Sequence, residues 1–149
     1  MRPPSFSGPL PNFMARPNQT ELIAAAVEAS RRAVAPYSKF HVGAALLTRA
    51  GHVIAGANVE SASYGLTCCA ERIALFKALT EGHDDFVAVA VVAPVTGGAM
   101  PCGACRQLLA EYAPDAKVWT ADSRAPKRIK TFTVRALLPK AFRDVPTAT

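Results

Sequence analysis

The stretch "FVAVAVVAPVTGGAMPCGACRQLLAEY", residues 86–112, decides the fold. Its first eight residues are apolar without a break, as in a strand buried on both faces, and Pro94 stops it. "GACRQLLAEY" then reads as a helix ended by Pro114. Downstream, strands are expected near Val118–Thr120 and Ile129–Thr133, followed by a short helical turn before Pro139. Upstream, "ERIALFKALTEG" has helical periodicity and a terminal glycine at Gly82. Before it come two strands, Phe40–Thr48 and His52–Ala57, joined by a turn around Ala50 and Gly51. Thr20 is a candidate cap for a first helix starting at Glu21. Leu22, Ala26, Ala29 and Ala33 recur there at helical spacing, and Pro36 forbids continuation. Five strands interleaved with helices predict an α/β protein of three layers, one sheet flanked by helices on both faces.

The chain has 149 residues, half of them apolar and a fifth charged, which fits one domain with a real core. Residues 1–17 hold five prolines and little charge and read as an irregular tail, with Met14 a second possible start; residues 18–149 are expected to form the single domain. The longest apolar run, Phe86–Ala93, is too short to span a bilayer, and the N-terminus lacks the apolar stretch of a signal peptide. A cytoplasmic protein with no membrane partner is expected, in which cysteines bind metal or do chemistry rather than form disulfides. The net charge of +6 reads as a solvated basic surface. The one dense basic cluster, Arg124, Lys127, Arg128 and Lys130, has no aromatic residue for stacking on bases, so nucleic acid is not an expected partner.

The four cysteines stand in two short segments, "TCCAERIA" at 67–74 and "PCGACRQ" at 101–107. Each segment lies where a loop enters a helix. A helix N-terminus carries partial positive charge and unpaired N–H groups, which favour the thiolate that binds metal. Cys102 and Cys105, three apart, can turn both sulfurs to one point. Tetrahedral zinc takes about four ligands, and a catalytic site keeps one position for water. A third sulfur from the Cys68–Cys69 pair meets that need. Glu71 shares a site with Cys69 only at the helix mouth, because residues two apart diverge in a helix interior. If Thr67 caps this helix, a capping-box glutamate would fall at position 70, which is alanine. A solvated first-turn glutamate is the plain alternative for Glu71.

Cys-Ala-Glu followed by Pro-Cys-Gly-Ala-Cys resembles the zinc-dependent cytidine deaminases. Cysteine stands where the first motif often has histidine; three-cysteine sites also occur in that superfamily. "PYSKFHVGAAL", "GANVESASYGLTCCAER", "PCGACRQLLAEY" and "LLPKAF" extend the likeness to the small, tetrameric-type nucleoside deaminases over nearly everything after residue 20. The resemblance implies a mixed five-stranded sheet in the α/β/α sandwich. It implies one zinc ion per chain on Cys69, Cys102 and Cys105, with Glu71 as proton shuttle, and leaves Cys68 as a small buried residue. It implies hydrolysis of cytidine or 2'-deoxycytidine to the uridine product with release of ammonia, in pyrimidine salvage. Phe40 would meet the base, Asn58 and Glu60 the ribose, and Ala70 would also bind substrate. Tyr64 and Phe142 would reach a neighbouring subunit's site in a homotetramer. Ser61 departs from the asparagine usual at its position.

Three thiolates around a divalent ion leave a net charge of about −1, which weakens a Lewis acid. Arg72 and Arg106 each adjoin a motif, and at least one is expected to donate to a ligand sulfur. His41, His52 and His83 lack metal-ligand spacing. A thioredoxin-type dithiol would explain Cys102 and Cys105 but give Cys69 and Glu71 no task. A closed structural zinc site would need Cys68 as fourth ligand, and adjacent cysteines chelate one ion awkwardly. A blasticidin-type deaminase would keep the metal motifs without the Asn58–Glu60 pair.

Overall fold

The structure is a computed structural model, and it describes residues 17–146. The expected irregular tail lies almost wholly outside the described residues. Helix α1 (Gln19–Ser30) leads into strands β1 (Gly43–Thr48) and β2 (Val53–Ala57). A 3-10 turn (Tyr64–Leu66) precedes α2 (Ala70–Thr80), and then come β3 (Phe86–Ala93) and α3 (Gly103–Tyr112). Strands β4 (Lys117–Asp122) and β5 (Ala125–Thr133) follow, with the four-residue α4 (Val134–Leu137) closing the series.

The sheet order is β2-β1-β3-β4-β5. Only β3 and β4 run parallel, so the sheet is mixed as expected. β3 lies at its centre, which explains why "FVAVAVVA" is apolar on both faces: Ala88 through Ala93 are all buried. Its alternate residues divide between two cores. Val89 and Val91 face α2 and α3 together with Leu46, Leu75, Leu109 and Val118. Ala88, Ala90 and Val92 face α1 together with Leu22, Ile23, Ala26 and Leu47. Each fully buried valine or leucine stabilises the fold by about 1.5–3 kcal/mol relative to exposure.

Two strand glycines set the helix–sheet spacing. A Cβ on Gly56 would lie 2.6 Å from the Ala74 backbone nitrogen, so α2 sits against β2 closer than any side chain permits. Gly43 does the same for α1, where an added Cβ would come within 2.7 Å of the Ser30 nitrogen.

Several boundaries differ from the sequence expectation. Helix α1 begins at Gln19 rather than Glu21, because Asn18 is the cap: its Oδ1 accepts from Glu21 N–H at 2.9 Å, and Glu21 Oε2 accepts from Asn18 N–H at 2.9 Å. Phe40–Val42 lies outside β1, which begins at Gly43. There Asn58 takes the place of a ladder partner, accepting from Val42 N–H at 2.8 Å and donating to Phe40 O at 2.9 Å. β5 begins at Ala125, earlier than expected; it is an edge strand, where Pro126 is tolerated.

Candidate metal centre and active site

Helices α2 and α3 open toward the same place. Cys69 is the N-cap of α2, Cys102 is the N-cap of α3, and Cys105 stands in the first turn of α3. Thr67 is therefore not the cap expected from sequence. Its Oγ1 instead accepts from Ser61 N–H at 3.1 Å and ties down the loop between β2 and α2.

The three sulfurs lie within 4.8 Å of one another: Cys69 to Cys102 is 3.8 Å and Cys102 to Cys105 is 3.5 Å. Tetrahedral zinc with Zn–S bonds of about 2.3 Å requires S···S separations of about 3.8 Å, so the cluster is already spaced for one ion. Among the described residues, no other group of three such ligands gathers. Cys68 stays outside it. Its segment pairs with Val59, its thiol is half-buried, and burial pushes its pKa up.

Hydrogen bonding from the Cys105 thiol, with further support from Arg72 and Cys102, pulls Cys69 down to about 5 against the cost of burial. The same contact pushes Cys105, itself buried, upward. Of the two arginines expected beside the sulfurs, Arg72 reaches one: its Nη2 donates to Thr67 O at 3.0 Å and to Cys69 Sγ at 3.8 Å. Its Nε is buried without a partner among the described residues, which leaves a donor to spare beside the sulfurs. Arg106 makes no such contact among the described residues. Its Nε donates to Pro101 O at 2.8 Å and its Nη1 to Leu137 O at 3.1 Å, both backbone carbonyls.

Glu71, 6% exposed, lies in the first turn of α2 and faces the same cavity as Cys69 and Cys102. Burial is the largest influence on its carboxyl and raises it to about 7; the Cys69 charge adds to this, while its own backbone N–H and Arg72 oppose it. A carboxyl at that value exchanges protons in either direction near neutral pH.

The cavity measures about 420 Å³, within the range of small-molecule sites. Its wall includes Phe40, Asn58, Glu60, Ala70, Glu71, Cys69 and Cys102, so one pocket gathers two of the three clustered cysteines, the carboxyl and every own-chain substrate residue expected from sequence; Cys105 stands behind it, buried. Asn58 and Glu60 are also anchored. The two bonds from Asn58 to the Phe40–Val42 segment leave one amide hydrogen and one lone pair unused. Glu60 Oε1 accepts from Tyr37 and Ser38 N–H at 3.1 Å each, and the Ser38 side chain does most to hold its pKa low. Tyr64 and Phe142 do not line this pocket; they are 82% and 63% exposed. The sequence reading missed Ser38, Val42, Thr67, Cys68, Val91, Ala99 and Met100 in the wall. Most lie within or beside the quoted motifs, whereas Val91 is signalled only by the buried strand that carries it. His52 and His83 pack ring to ring at 4.9 Å, away from the sulfurs.

Comparison with known proteins gives this geometry a family. Residues 16–121 match the profile described as the cytidine and deoxycytidylate deaminase zinc-binding region. A protein named cytidine deaminase from Halalkalibacterium halodurans is 55% identical over 122 residues, covering 81% of this chain and 91% of its own. A blasticidin-S deaminase from Bacillus cereus is 37% identical over 113 residues, covering 70% and 79%. The crystal structure of cytidine deaminase from Burkholderia pseudomallei superposes with a TM-score of 0.80 at 46% identity, covering 84% of this chain and 99% of that one. The chain belongs to the zinc-binding cytidine and deoxycytidylate deaminase family.

Proposed function

We propose that the chain hydrolyses the C4 amino group of cytidine and 2'-deoxycytidine, giving uridine or 2'-deoxyuridine and ammonia. The observation that carries this is a cluster of three sulfurs at zinc spacing, two of which share one cavity wall with a buried carboxyl. Cys69, Cys102 and Cys105 would hold the ion. When bound, zinc supplies Lewis acidity that makes water a nucleophile near neutral pH.

Glu71 moves the protons. Its carboxylate takes one from the attacking water and passes it to N3 of the pyrimidine, which drains electron density from C4. After C4 becomes tetrahedral, the same carboxyl carries the remaining hydroxyl proton to the amino nitrogen, and ammonia leaves with the C4–N electron pair. Positioned acid–base catalysis of this kind is worth about 10²–10⁴ in rate. Phe40 and Ala70 pack against the base, and the free capacity of Asn58 and Glu60 faces the sugar. Arg72 offsets the excess negative charge of three thiolates.

A homotetramer with shared active sites fits Tyr64 and Phe142, large aromatics left in water on a single chain. A cytoplasmic role in pyrimidine salvage follows from the substrate class. No helix among the described residues is long and apolar enough to cross a membrane.

A blasticidin-type substrate is the second reading, favoured by the Bacillus cereus relative. Incubating the zinc-loaded protein with cytidine, deoxycytidine, cytosine, blasticidin and single-stranded DNA, while following absorbance and ammonia, decides between them. Turnover of the two nucleosides well above the rest is the expected result; turnover of blasticidin alone would transfer the site to the second reading.

A further inference from the structure

Arg106 adjoins a metal-ligating cysteine but touches no sulfur, and its actual partners are unusual. The two carbonyls it binds, Pro101 O and Leu137 O, belong to residues 36 apart in sequence. Pro101 is fully buried and immediately precedes Cys102. Its carbonyl lies outside the ladder of α3, so the Arg106 Nε bond fixes the peptide plane that leads into Cys102 and, through it, the Sγ. Leu137 is the last residue of α4, whose carbonyl has no helical partner.

The next residue on α3 makes a parallel contact. Gln107 Nε2 has two hydrogens and uses both, on Glu111 Oε1 at 2.7 Å and on Phe142 O at 2.6 Å. Helix α3 thus grips the end of α4 at residue 137 and the chain after it at residue 142. Between these points Leu138 and Ala141 pack on the core that lies beneath α2 and α3.

We propose that Arg106 and Gln107 are positioning residues, a clamp that ties the Pro101–Cys102 metal loop to the C-terminal segment carrying Phe142. Arg106 serves both ends, and Gln107 serves only the segment. A shift of that segment therefore reaches Cys102 through one guanidinium. Lysine cannot replace it, because a single ammonium on a flexible stem does not span two fixed carbonyls. The consequence for substrate rests on the reading of Phe142 as part of a neighbour's pocket.

The test uses zinc-loaded full-length protein and the variants Arg106→Lys, Arg106→Ala and Gln107→Ala. Three rates are read: zinc transfer to a chromophoric chelator, tryptic cleavage after Lys140 and Arg143, and kcat with KM for cytidine. Gln107→Ala should quicken tryptic cleavage about three- to tenfold, the effect of one hydrogen bond, and leave zinc release unchanged. Both Arg106 variants should quicken cleavage and also speed zinc release by about tenfold. All three should raise KM with little change in kcat. Arg106→Lys keeps the charge and one bond, so it carries the test if Arg106→Ala does not fold. Zinc release from Arg106→Lys at the wild-type rate, or unaltered cleavage in Gln107→Ala, would overturn the clamp. Release and cleavage need no substrate, so they judge the clamp independently of the substrate assignment. An unchanged KM with both rates altered would instead remove Phe142 from the pocket.

Discussion

Replacing Glu71 with glutamine should separate the cost of this carboxyl from its use. The side chain is 6% exposed, and its pKa rises from 4.5 to about 7, chiefly through burial. At about 1.4 kcal/mol per tenfold change in proton affinity, that rise corresponds to about 3 kcal/mol. The sign follows from which state holds the proton. Below pH 4.5 the group is neutral in both folded and unfolded chains, and its burial is tolerated. Between pH 4.5 and about 7 the unfolded chain gives up its proton while the folded chain keeps it, so stability falls as pH rises. Above about 7 the loss is complete. Glutamine has the same shape and never ionises. In protein stripped of metal, Glu71→Gln should therefore match the wild type near pH 4.5 and exceed it by about 3 kcal/mol at pH 8, read by urea unfolding. Loaded with zinc, the same variant should lose about 10²–10⁴ in kcat, because the proton carrier is gone. A stability difference that is the same at both pH values would refute the argument from burial. Retained activity would refute the role.

Other substitutions probe the rest of the site. Arg72→Ala removes the one guanidinium beside Cys69 Sγ and should weaken zinc retention by about tenfold in a chelator competition; equal retention would strip Arg72 of its charge role. Cys68→Ser should keep one zinc per chain and near-normal turnover, since Cys68 stands outside the sulfur cluster; loss of the metal would make it a ligand. Gly56→Ala drives a methyl to 2.6 Å from the Ala74 nitrogen and should cost about 1–3 kcal/mol of stability in denaturant unfolding. An unchanged midpoint there would mean that α2 can withdraw from β2 at no cost.

What the sequence revealed and what it hid have separate physical causes. β3 and α3 were legible because their apolar patterns are long and bounded by prolines, at 94 and 114. The cluster was legible because its residues sit at helix mouths, close in sequence and at short spacings: Cys102 with Cys105, and Cys69 with the neighbouring Glu71. The start of α1 was readable but misread. Asn18 and Glu21 form a capping box three residues apart, while Thr20, a usual capping residue, stands nearer the apolar run. The true cap of α2 was hidden because cysteine is not a usual capping residue and Thr67 is. The role of Arg106 lay beyond any local pattern, since its second partner is 31 residues away at the end of α4. The same holds for Asn58, which holds the chain before β1 from across the sheet edge.

X-ray absorption at the zinc edge on the loaded protein tests the central claim most directly. Three sulfur neighbours at about 2.3 Å and one lighter oxygen or nitrogen atom are the predicted shell. Four sulfurs would mean a closed structural site with Cys68 drawn in, and fewer than three would mean that Cys69, Cys102 and Cys105 do not share one ion.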